Sequence, residues 1–575
     1  MYDTIIRNGT IVDGSGGEPF QADCAIRDGR IAAIGQNLGP AAEEIDATGC
    51  IVTPGFVDIH THYDAQITWS RRLGPSTDHG ATTVVMGNCA VGLAPCRADD
   101  RERLIEVMAG VEDIPEAVLA DGVPWNWESF PEYLDAIEAQ HADADFAAML
   151  AHAPLRVYVM GKRGADREMA SAADLNAMKS LVREAVDAGA LGFSTSRCFV
   201  HRDVYGALAP AETASEEELM AIAAGVREAR PSVLEYITDF PGLGTGGRAD
   251  FDLMCRFAEA ADRPLSYTLN ENPLYPEGFK TLLEMTREAN ESGLSLRGQV
   301  APRAVGILFG LDLSYHPFSF RPSYQAIAGL PLAERVKAMR DPELRARILG
   351  EEDAGGHPFA VMMTARRAEL LRMSNPPNYE PDVSEQLVNR AAATGRSVDE
   401  IAYDELLEDE GRALLYLPVT NYVHGNLDTT LAMLRDPNTV IGLGDGGAHL
   451  GMICDAAYPT FVLAHWTRDR KGERIPLPTV VRKLTRDPAE VVGLRDRGLL
   501  AEGYKADINV IDMDRLAILR PEVSYDLPSS GRRLFQRSKG YVATLVSGVV
   551  TRRDDEHTGN LPGRLVRGLQ ADPVG

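Results

Sequence analysis

The feature that most constrains the fold is an alternation of short apolar runs with amphipathic stretches through the middle of the chain. Many of these runs are rich in β-branched residues, and the pattern from Ala172 to Gly189 is typical of an amphipathic helix. Alternating strands and helices are typical of a parallel α/β fold. The predicted strands are 56–59, 82–87, 146–150, 191–195, 232–237, 264–269, 296–300 and 440–445. A set of eight favours a TIM-like (β/α)8 barrel over an open sheet.

Both ends of the chain are rich in β structure instead. Near the start, Asp28-Gly29 separates two β-rich runs, which is a strong signal for a hairpin. Near the end, residues 506–512 alternate with a period of two. An isolated hairpin is only marginally stable in water, so neither end can be stable alone. We therefore predict a small β-sandwich domain built from residues 1–54 and 496–575, on either side of a catalytic barrel spanning 55–495.

The stretch between Val300 and Val440 is too long for a single crossover between neighbouring strands. It contains helical patterns at 333–340 and 342–349. We interpret residues of about 303–435 as a mostly helical insertion over the mouth of the barrel. A separate domain is the alternative.

The net charge and the cysteines indicate which kinds of partner the protein binds and in which cell compartment it lies. The chain has 58 basic and 84 acidic residues and a net charge of −26, which repels phosphate backbones and anionic lipids. We expect a small-molecule ligand and neither nucleic acid nor a membrane, while assembly into a homo-oligomer stays open. The seven cysteines are scattered and contain no CxxC pair, and the start lacks the pattern of a signal peptide. We therefore predict a cytoplasmic protein.

The most informative motif is His60-Thr61-His62, directly after the first predicted strand. Residues i and i+2 of a strand point to the same face, so both imidazoles would project together. Two imidazoles held in this way can bind one divalent metal ion. The carboxyl ends of barrel strands are also where active sites of this fold lie. We predict that His60 and His62 are metal ligands.

Two further candidates follow other strands. Cys89 ends the second predicted strand, where its thiolate could bind zinc or its side chain could simply be a small buried hydrophobe. Asp445 ends the last strand between glycines, which let a substrate approach closely. Such a carboxylate suits a metal ligand or a general base, although Asp in a glycine-rich loop can also serve the turn alone.

Basic side chains near other strand ends are candidates for binding a substrate carboxylate. His152 and Arg156 follow the third strand, Arg197 follows the fourth, and His449 follows Asp445 by four residues. Arginine can donate two parallel hydrogen bonds to a carboxylate. An ordinary exposed position is the alternative for each of these residues.

Together these motifs resemble the amidohydrolase superfamily over nearly the whole chain. Gly87-Asn88-Cys89, following Thr82 to Val85, is similar to the D-aminoacylase (N-acyl-D-amino-acid deacylase) branch. The resemblance implies a zinc-binding barrel in which a metal-bound water attacks an amide carbonyl. It also implies that His60, His62 and Cys89 are metal ligands, and that Asp445 is the catalytic acid/base near the metal and a ligand.

The chain also departs from that branch. Its members carry a metal-binding histidine on the fifth strand and another on the sixth, but 234–238 and 265–270 contain none. The fourth strand, 192–195, also lacks the bridging lysine of binuclear relatives. Glu235 could substitute as an oxygen ligand, and a strand carboxylate that faces a helix or loop is the alternative. We expect one zinc ion rather than two, and another divalent metal stays open.

The resulting hypothesis is a hydrolase of non-peptide amide bonds, with an N-acyl-D-amino acid or similar N-acyl amino acid as substrate. Metal-bound hydroxide would attack while Asp445 moves the proton. A cyclic amide, a hydantoin-like ring or a lactone is the alternative substrate. A protein that is not an enzyme is a further alternative: an inactive amidohydrolase-like scaffold or a binding protein without turnover. The missing histidines are the feature that favours it.

Overall fold

The computed structural model describes residues 1–240, 243, 247–355 and 358–573. Its centre is a set of eight strands that are parallel wherever they pair, in the predicted order and close to the predicted bounds. They are Phe56–Asp58, Ala81–Met86, Asp145–Ala148, Gly192–Arg197, Val233–Thr238, Leu265–Thr268, Leu296–Val300 and Thr439–Ile441. The third strand resumes as Leu150–Ala151 after Met149. The predicted α/β class is therefore confirmed.

Hydrogen bonds divide the eight strands into two sheets. The first three strands form one sheet, and Leu150–Ala151 continues into the other five in consecutive order. The last and first strands are linked beyond their ends, because Thr61 forms an isolated bridge to Gly446. In addition, the N–H of Asp445 donates to the carbonyl of His60 at 3.0 Å. The first and last strands are thus connected beyond their ends, although the described strands do not form one continuous ladder.

Several of these strands contribute side chains to one apolar core. Side chains from the first, second, third, fifth and last strands share it with Val566 from the C-terminal tail; they are Val57, Val85, Ala147, Val233 and Val440. The tail reaches this position because Leu565 bridges Phe146 and Gly563 bridges Ala142. Strands from both ends of the order therefore contribute to the same core, and the tail packs against it.

Amphipathic helices connect the strands. The principal ones are Arg101–Glu112, Glu116–Gly122, Phe130–Glu138, His152–Met160, Ala172–Ala188, Glu216–Glu228, Ala249–Ala261, Gly278–Glu291, Asp428–Arg435, Leu477–Leu484 and Arg486–Val491. Ala172–Ala188 shows why they form: Ser171 and Asp174 make a reciprocal capping box at its start. Its buried residues Met178, Val182 and Val186 recur at the i, i+4 spacing of one helical face. No helix of the described residues is long and apolar enough to cross a membrane.

Strands from both ends of the chain join in one nine-stranded sheet. Its members are Tyr2–Ile11, Phe20–Arg27, Arg30–Gly35, Ala41–Asp46, Ile51–Pro54, Ile508–Ile511, Tyr541–Val546, Val549–Arg553 and Glu556–His557. Ile508–Ile511 pairs with Ile51–Pro54 and so joins the two ends. The turn at Gly29 lies against Ser547 from the far side of the strand order, so the sheet folds back on itself. Its core draws on both ends, including Ile6 and Leu545.

The segment between Val300 and Thr439 has its own hydrophobic core. Its helices are Pro322–Gln325, Leu332–Met339, Pro342–Gly350, Pro358–Arg366, Leu387–Thr394 and Val398–Leu407. The prediction of a mostly helical insertion omitted a three-stranded antiparallel sheet, which comprises Val305–Phe309, Leu371–Arg372 and Leu415–Thr420. The N–H of Leu308 donates to the carbonyl of Met452 at 2.7 Å, so this sheet contacts the loop that follows Asp445.

Candidate metal centre

His60 and His62 lie just beyond the first parallel strand, and both side chains are only 1% exposed. The backbone holds them on two sides. The N–H of Thr61 donates to Val85 on the second strand at 3.0 Å, and that of His62 donates to Gly446 beyond the last strand at 2.7 Å. The two rings meet edge to face with centroids 5.4 Å apart. The fold thus brings the two imidazoles together at the strand ends.

Cys89 completes a compact set of ligand atoms. One ligand atom each from His60, His62 and Cys89 lies within 4.8 Å of the others, and Nε2 of His60 is 3.3 Å from the Cys89 sulfur. Both ring nitrogens of His62 are buried without a hydrogen-bond partner among the described residues. Unpartnered buried nitrogens are costly. Two imidazoles and a sulfur are a donor set that suits zinc, so these residues fit the ion that the resemblance implies.

Cys89 lies in a tight turn whose backbone has left-handed φ angles. Cys89 itself has a φ of 56°, in the left-handed region. Gly87 has a φ of 84°, and a Cβ there would lie 2.3 Å from the carbonyl oxygen of Met149. Burial raises the pKa of the Cys89 thiol, and the nearby carboxylates of Glu235 and Glu112 raise it further. Binding an ion would therefore require the loss of the thiol proton.

Asp445 lies on the more open side of this cluster, with its side chain 19% exposed. Its Oδ1 is 3.4 Å from Nε2 of His60 and 3.6 Å from Nε2 of His62. Burial alone would raise the pKa of Asp445. The nearby imidazoles of His62 and His60 instead hold the pKa below its ordinary value. The carboxylate is therefore ionised at neutral pH and able to accept a proton.

The two histidines differ in their electrostatic surroundings. For His60, burial would lower the pKa, but the negative charges of Glu235 and Asp445 outweigh it and raise the pKa to about 9. For His62, burial dominates and lowers the pKa to about 4. At neutral pH and without an ion, His60 is therefore a positively charged imidazolium, while His62 is a neutral imidazole.

Glu235 lies behind His60 rather than beside the other ligand atoms. Its Oε1 is 3.0 Å from Nδ1 of His60, and its Oε2 accepts the N–H of Cys89 at 3.0 Å. The opposite nitrogen of His60, Nε2, faces the Cys89 sulfur. Glu235 thus contacts two predicted ligands from outside the cluster, which differs from the direct metal contact expected for it.

His152 and Arg156 are engaged in a buried network and do not line an open site. Nε2 of His152 lies 2.9 Å from Glu218, and its Nδ1 lies 2.9 Å from the hydroxyl of Thr195. Arg156 contacts the same Glu218 carboxylate at 3.2 Å. The side chains of His152, Arg156 and Glu218 are at most 1% exposed. The expectation that His152 and Arg156 bind a substrate carboxylate is therefore corrected, because Glu218 already occupies both side chains.

This network leads to a stability prediction. Replacing Glu218→Gln should lower the free energy of unfolding by about 3–5 kcal/mol, because it leaves buried Arg156 without its counter-charge. Urea unfolding followed by tryptophan fluorescence measures the change. Glu216→Gln on the same helix is the matched control: its pair with Arg256 is about half exposed and should be worth about 0–1 kcal/mol. Equal losses in the two variants would contradict this interpretation.

Arg197 and His449 lie closer to the surface than the two histidines of the cluster. Arg197 donates to the carbonyl of Ala214 at 2.9 Å and lies 3.4 Å from Asp250. His449 has a 23% exposed side chain, and its Nε2 lies 3.7 Å from Oε2 of Glu112. Of the predicted substrate-binding residues, His449 is the one that contacts the surroundings of His62.

Sequence reasoning missed two residues of the site. Glu112 ends the helix Arg101–Glu112, and its Oε1 lies 3.4 Å from Nδ1 of His62. Gln299 lies on the seventh parallel strand, with its Oε1 3.0 Å from Nδ1 of His60. Neither residue stands in a motif, because one ends an ordinary helical pattern and the other lies within a strand. Their roles depend on how distant segments pack.

Three comparisons place this geometry among known proteins. A model described as "Amidohydrolase family" matches residues 43–552. The N-acyl-D-glutamate deacylase of Alcaligenes xylosoxydans xylosoxydans is 35% identical, covering 98% of this chain and 96% of that protein. The D-aminoacylase of the same organism is 26% identical, covering 98% and 97%.

The solved structures of similar fold include one that matches over nearly its whole length. It is an N-acyl-D-glutamate deacylase from Bordetella bronchiseptica, complexed with zinc and a phosphonate inhibitor that mimics the tetrahedral intermediate. It is 24% identical with a TM-score of 0.63, and the match covers 98% of this chain and 99% of that one. At this level of identity the likeness concerns the fold.

Proposed function

The chain belongs to the amidohydrolase family, and on this premise we propose that it hydrolyses the amide bond of an N-acyl-D-amino acid or a similar N-acyl amino acid. The observation that carries the proposal is the cluster of His60, His62 and Cys89, with Asp445 directly beside it. The deacylases that resemble the chain over nearly its whole length support the choice of substrate class. The enzyme class is a hydrolase of carbon–nitrogen bonds other than peptide bonds.

His60, His62 and Cys89 would hold one divalent ion, with Asp445 as a further ligand. Such an ion supplies a Lewis acid that polarises a carbonyl and acidifies water. Zinc is supported by the nitrogen and sulfur donors and by the zinc in the Bordetella deacylase structure. One ion is favoured because, among the described residues, these three form the one group of at least three clustered ligands.

Asp445 would move the proton of the reaction. Its ionised Oδ1 can accept a proton from the water that adds to the amide carbon, and the carboxyl group can then return that proton to the departing nitrogen. One water is consumed, and the products are a carboxylic acid and an amine. The side chain of Asp445 is 19% exposed, against 1% for His60, which supports an approach of the substrate from the side of Asp445.

The finer architecture belongs to the same proposal. We infer that the eight strands form a closed (β/α)8 barrel, since one apolar core contacts strands from both ends of the strand order. The domains would then be the barrel of 55–495, the β-sandwich of 1–54 and 496–575, and the insertion of about 303–435. All seven cysteines are free thiols, which supports a reducing compartment such as the cytoplasm.

A substrate panel tests the proposal. The zinc-loaded protein is incubated with N-acetyl-D-amino acids, their L enantiomers, a hydantoin and a lactone, and release of free amine or acid is measured. We expect hydrolysis of an N-acyl amino acid, fastest for a D enantiomer. Exclusive hydrolysis of the cyclic compounds would replace the proposed substrate class. No hydrolysis, with tight binding of the products, would favour a binding protein.

A further inference from the structure

Glu112 is a buried carboxylate that the proposed reaction leaves without a role. It is 1% exposed, and neither carboxylate oxygen has a hydrogen-bond partner in the described part of the chain. A buried carboxylate is costly unless it is paired. The groups that face it are imidazoles: Nδ1 of His62 lies 3.4 Å from one oxygen and Nε2 of His449 lies 3.7 Å from the other.

A second carboxylate is placed in the same way against the other histidine. Oε1 of Glu235 lies 3.0 Å from Nδ1 of His60. Oε1 of Gln299 lies at the same distance, and the amide nitrogen of Gln299 donates to the hydroxyl of Ser266 at 2.8 Å. Because Nδ1 of His60 faces two acceptors, it carries a hydrogen. Nε2, which faces the sulfur of Cys89, is then the nitrogen that would bind an ion.

The two histidines therefore share one arrangement. In each, Nδ1 faces a buried glutamate while Nε2 faces the proposed ion position, since Nε2 of His62 lies 3.6 Å from Asp445. Histidines that bind metal ordinarily donate their other N–H to an oxygen acceptor, which fixes the tautomer and the ring orientation. We propose that Glu112 is a positioning residue that accepts the Nδ1 hydrogen of His62, in a position that corresponds to that of Glu235 beside His60. This inference rests on the proposed metal-dependent function.

The proposal gives both glutamates a defined role. Glu235 orients His60, and by accepting the N–H of Cys89 it also positions Cys89, another proposed ligand. Glu112 brings the end of the helix Arg101–Glu112 against His62, and its backbone carbonyl also accepts the N–H of His449. The helix end and the loop that carries Asp445 are thereby joined beside His62.

Zinc affinity in three variants tests the role of Glu112. Competition with a chromophoric chelator gives the dissociation constant, and cobalt substitution shows a sulfur-to-cobalt charge-transfer band while Cys89 is bound. Glu112→Ala should weaken zinc binding by about 10–100-fold. Glu112→Gln keeps an acceptor oxygen and should fall between Glu112→Ala and the unmodified protein. The cobalt band should persist at saturation in both.

Asp113→Asn is the matched control, because Asp113 is the next residue and accepts from Ser314 and Gly451 but makes no hydrogen bond or ion pair with an imidazole of the described residues. It should keep the zinc affinity of the unmodified protein. If Glu112→Ala does not fold, Glu112→Gln against Asp113→Asn decides the question. Unchanged affinity in the Glu112 variants, or an equal loss in Asp113→Asn, overturns the proposal. Failure of the unmodified protein to bind any ion would instead contradict the proposed function.

Discussion

Asp445→Asn should lower the turnover of the amide substrate by about 10²–10⁴-fold, the usual contribution of a positioned acid/base group. Asparagine has nearly the same shape but does not accept and return a proton. The ligand set of His60, His62 and Cys89 stays intact, so the variant should keep most of its bound ion. Turnover and metal content must therefore respond differently, and both are measured on the same preparation.

Asp455→Asn is the matched control for this prediction. It changes the same residue type in the same loop, but its carboxylate contacts the buried Arg303 at 2.8 Å. That variant should lose stability while its folded fraction keeps most of the turnover. Full turnover in Asp445→Asn would remove Asp445 from the reaction. Loss of the ion together with turnover would make Asp445 primarily a ligand.

His60→Asn should remove the bound ion and, with it, the amide hydrolysis. The imidazole supplies the nitrogen nearest the Cys89 sulfur, and the shorter asparagine side chain does not reach the same position. We expect a loss of turnover at least as large as that of Asp445→Asn, because the ion supports both the attack and the carbonyl polarisation. Elemental analysis after gel filtration gives the ion content.

His79→Asn distinguishes a lost ligand from a damaged core. His79 is also fully buried, but its ring nitrogens already contact Thr460 and the carbonyl of Gln536 at 2.7 and 2.8 Å. This variant should lose stability and keep its ion. If His60→Asn retains the ion, or if both variants lose it equally, the ligand assignment is wrong.

Local patterns in the sequence were sufficient to predict the eight strands and the His60-x-His62 pair. Both depend on short-range rules: apolar runs form strands, and residues two apart share a face. The joint sheet from both ends was also predictable, because neither hairpin-rich end is stable alone.

Contacts between distant segments were not predictable in this way. Glu112 reaches His62 because a helix ends beside the first strand, and no local pattern marks that position. His152 and Arg156 follow the third strand as expected. Both side chains, however, contact Glu218 from another helix. The sheet in the insertion likewise pairs segments far apart in the chain, such as Val305–Phe309 with Leu415–Thr420.

The most direct test of the account is the number of metal ions per chain, measured by elemental analysis of protein purified without chelators or a histidine tag. We predict about one zinc ion per chain, since His60, His62 and Cys89 form the one cluster of at least three ligands among the described residues. Removing that ion should abolish amide hydrolysis, and adding zinc back should restore it. A chain that binds no divalent ion even after incubation with zinc would contradict the account.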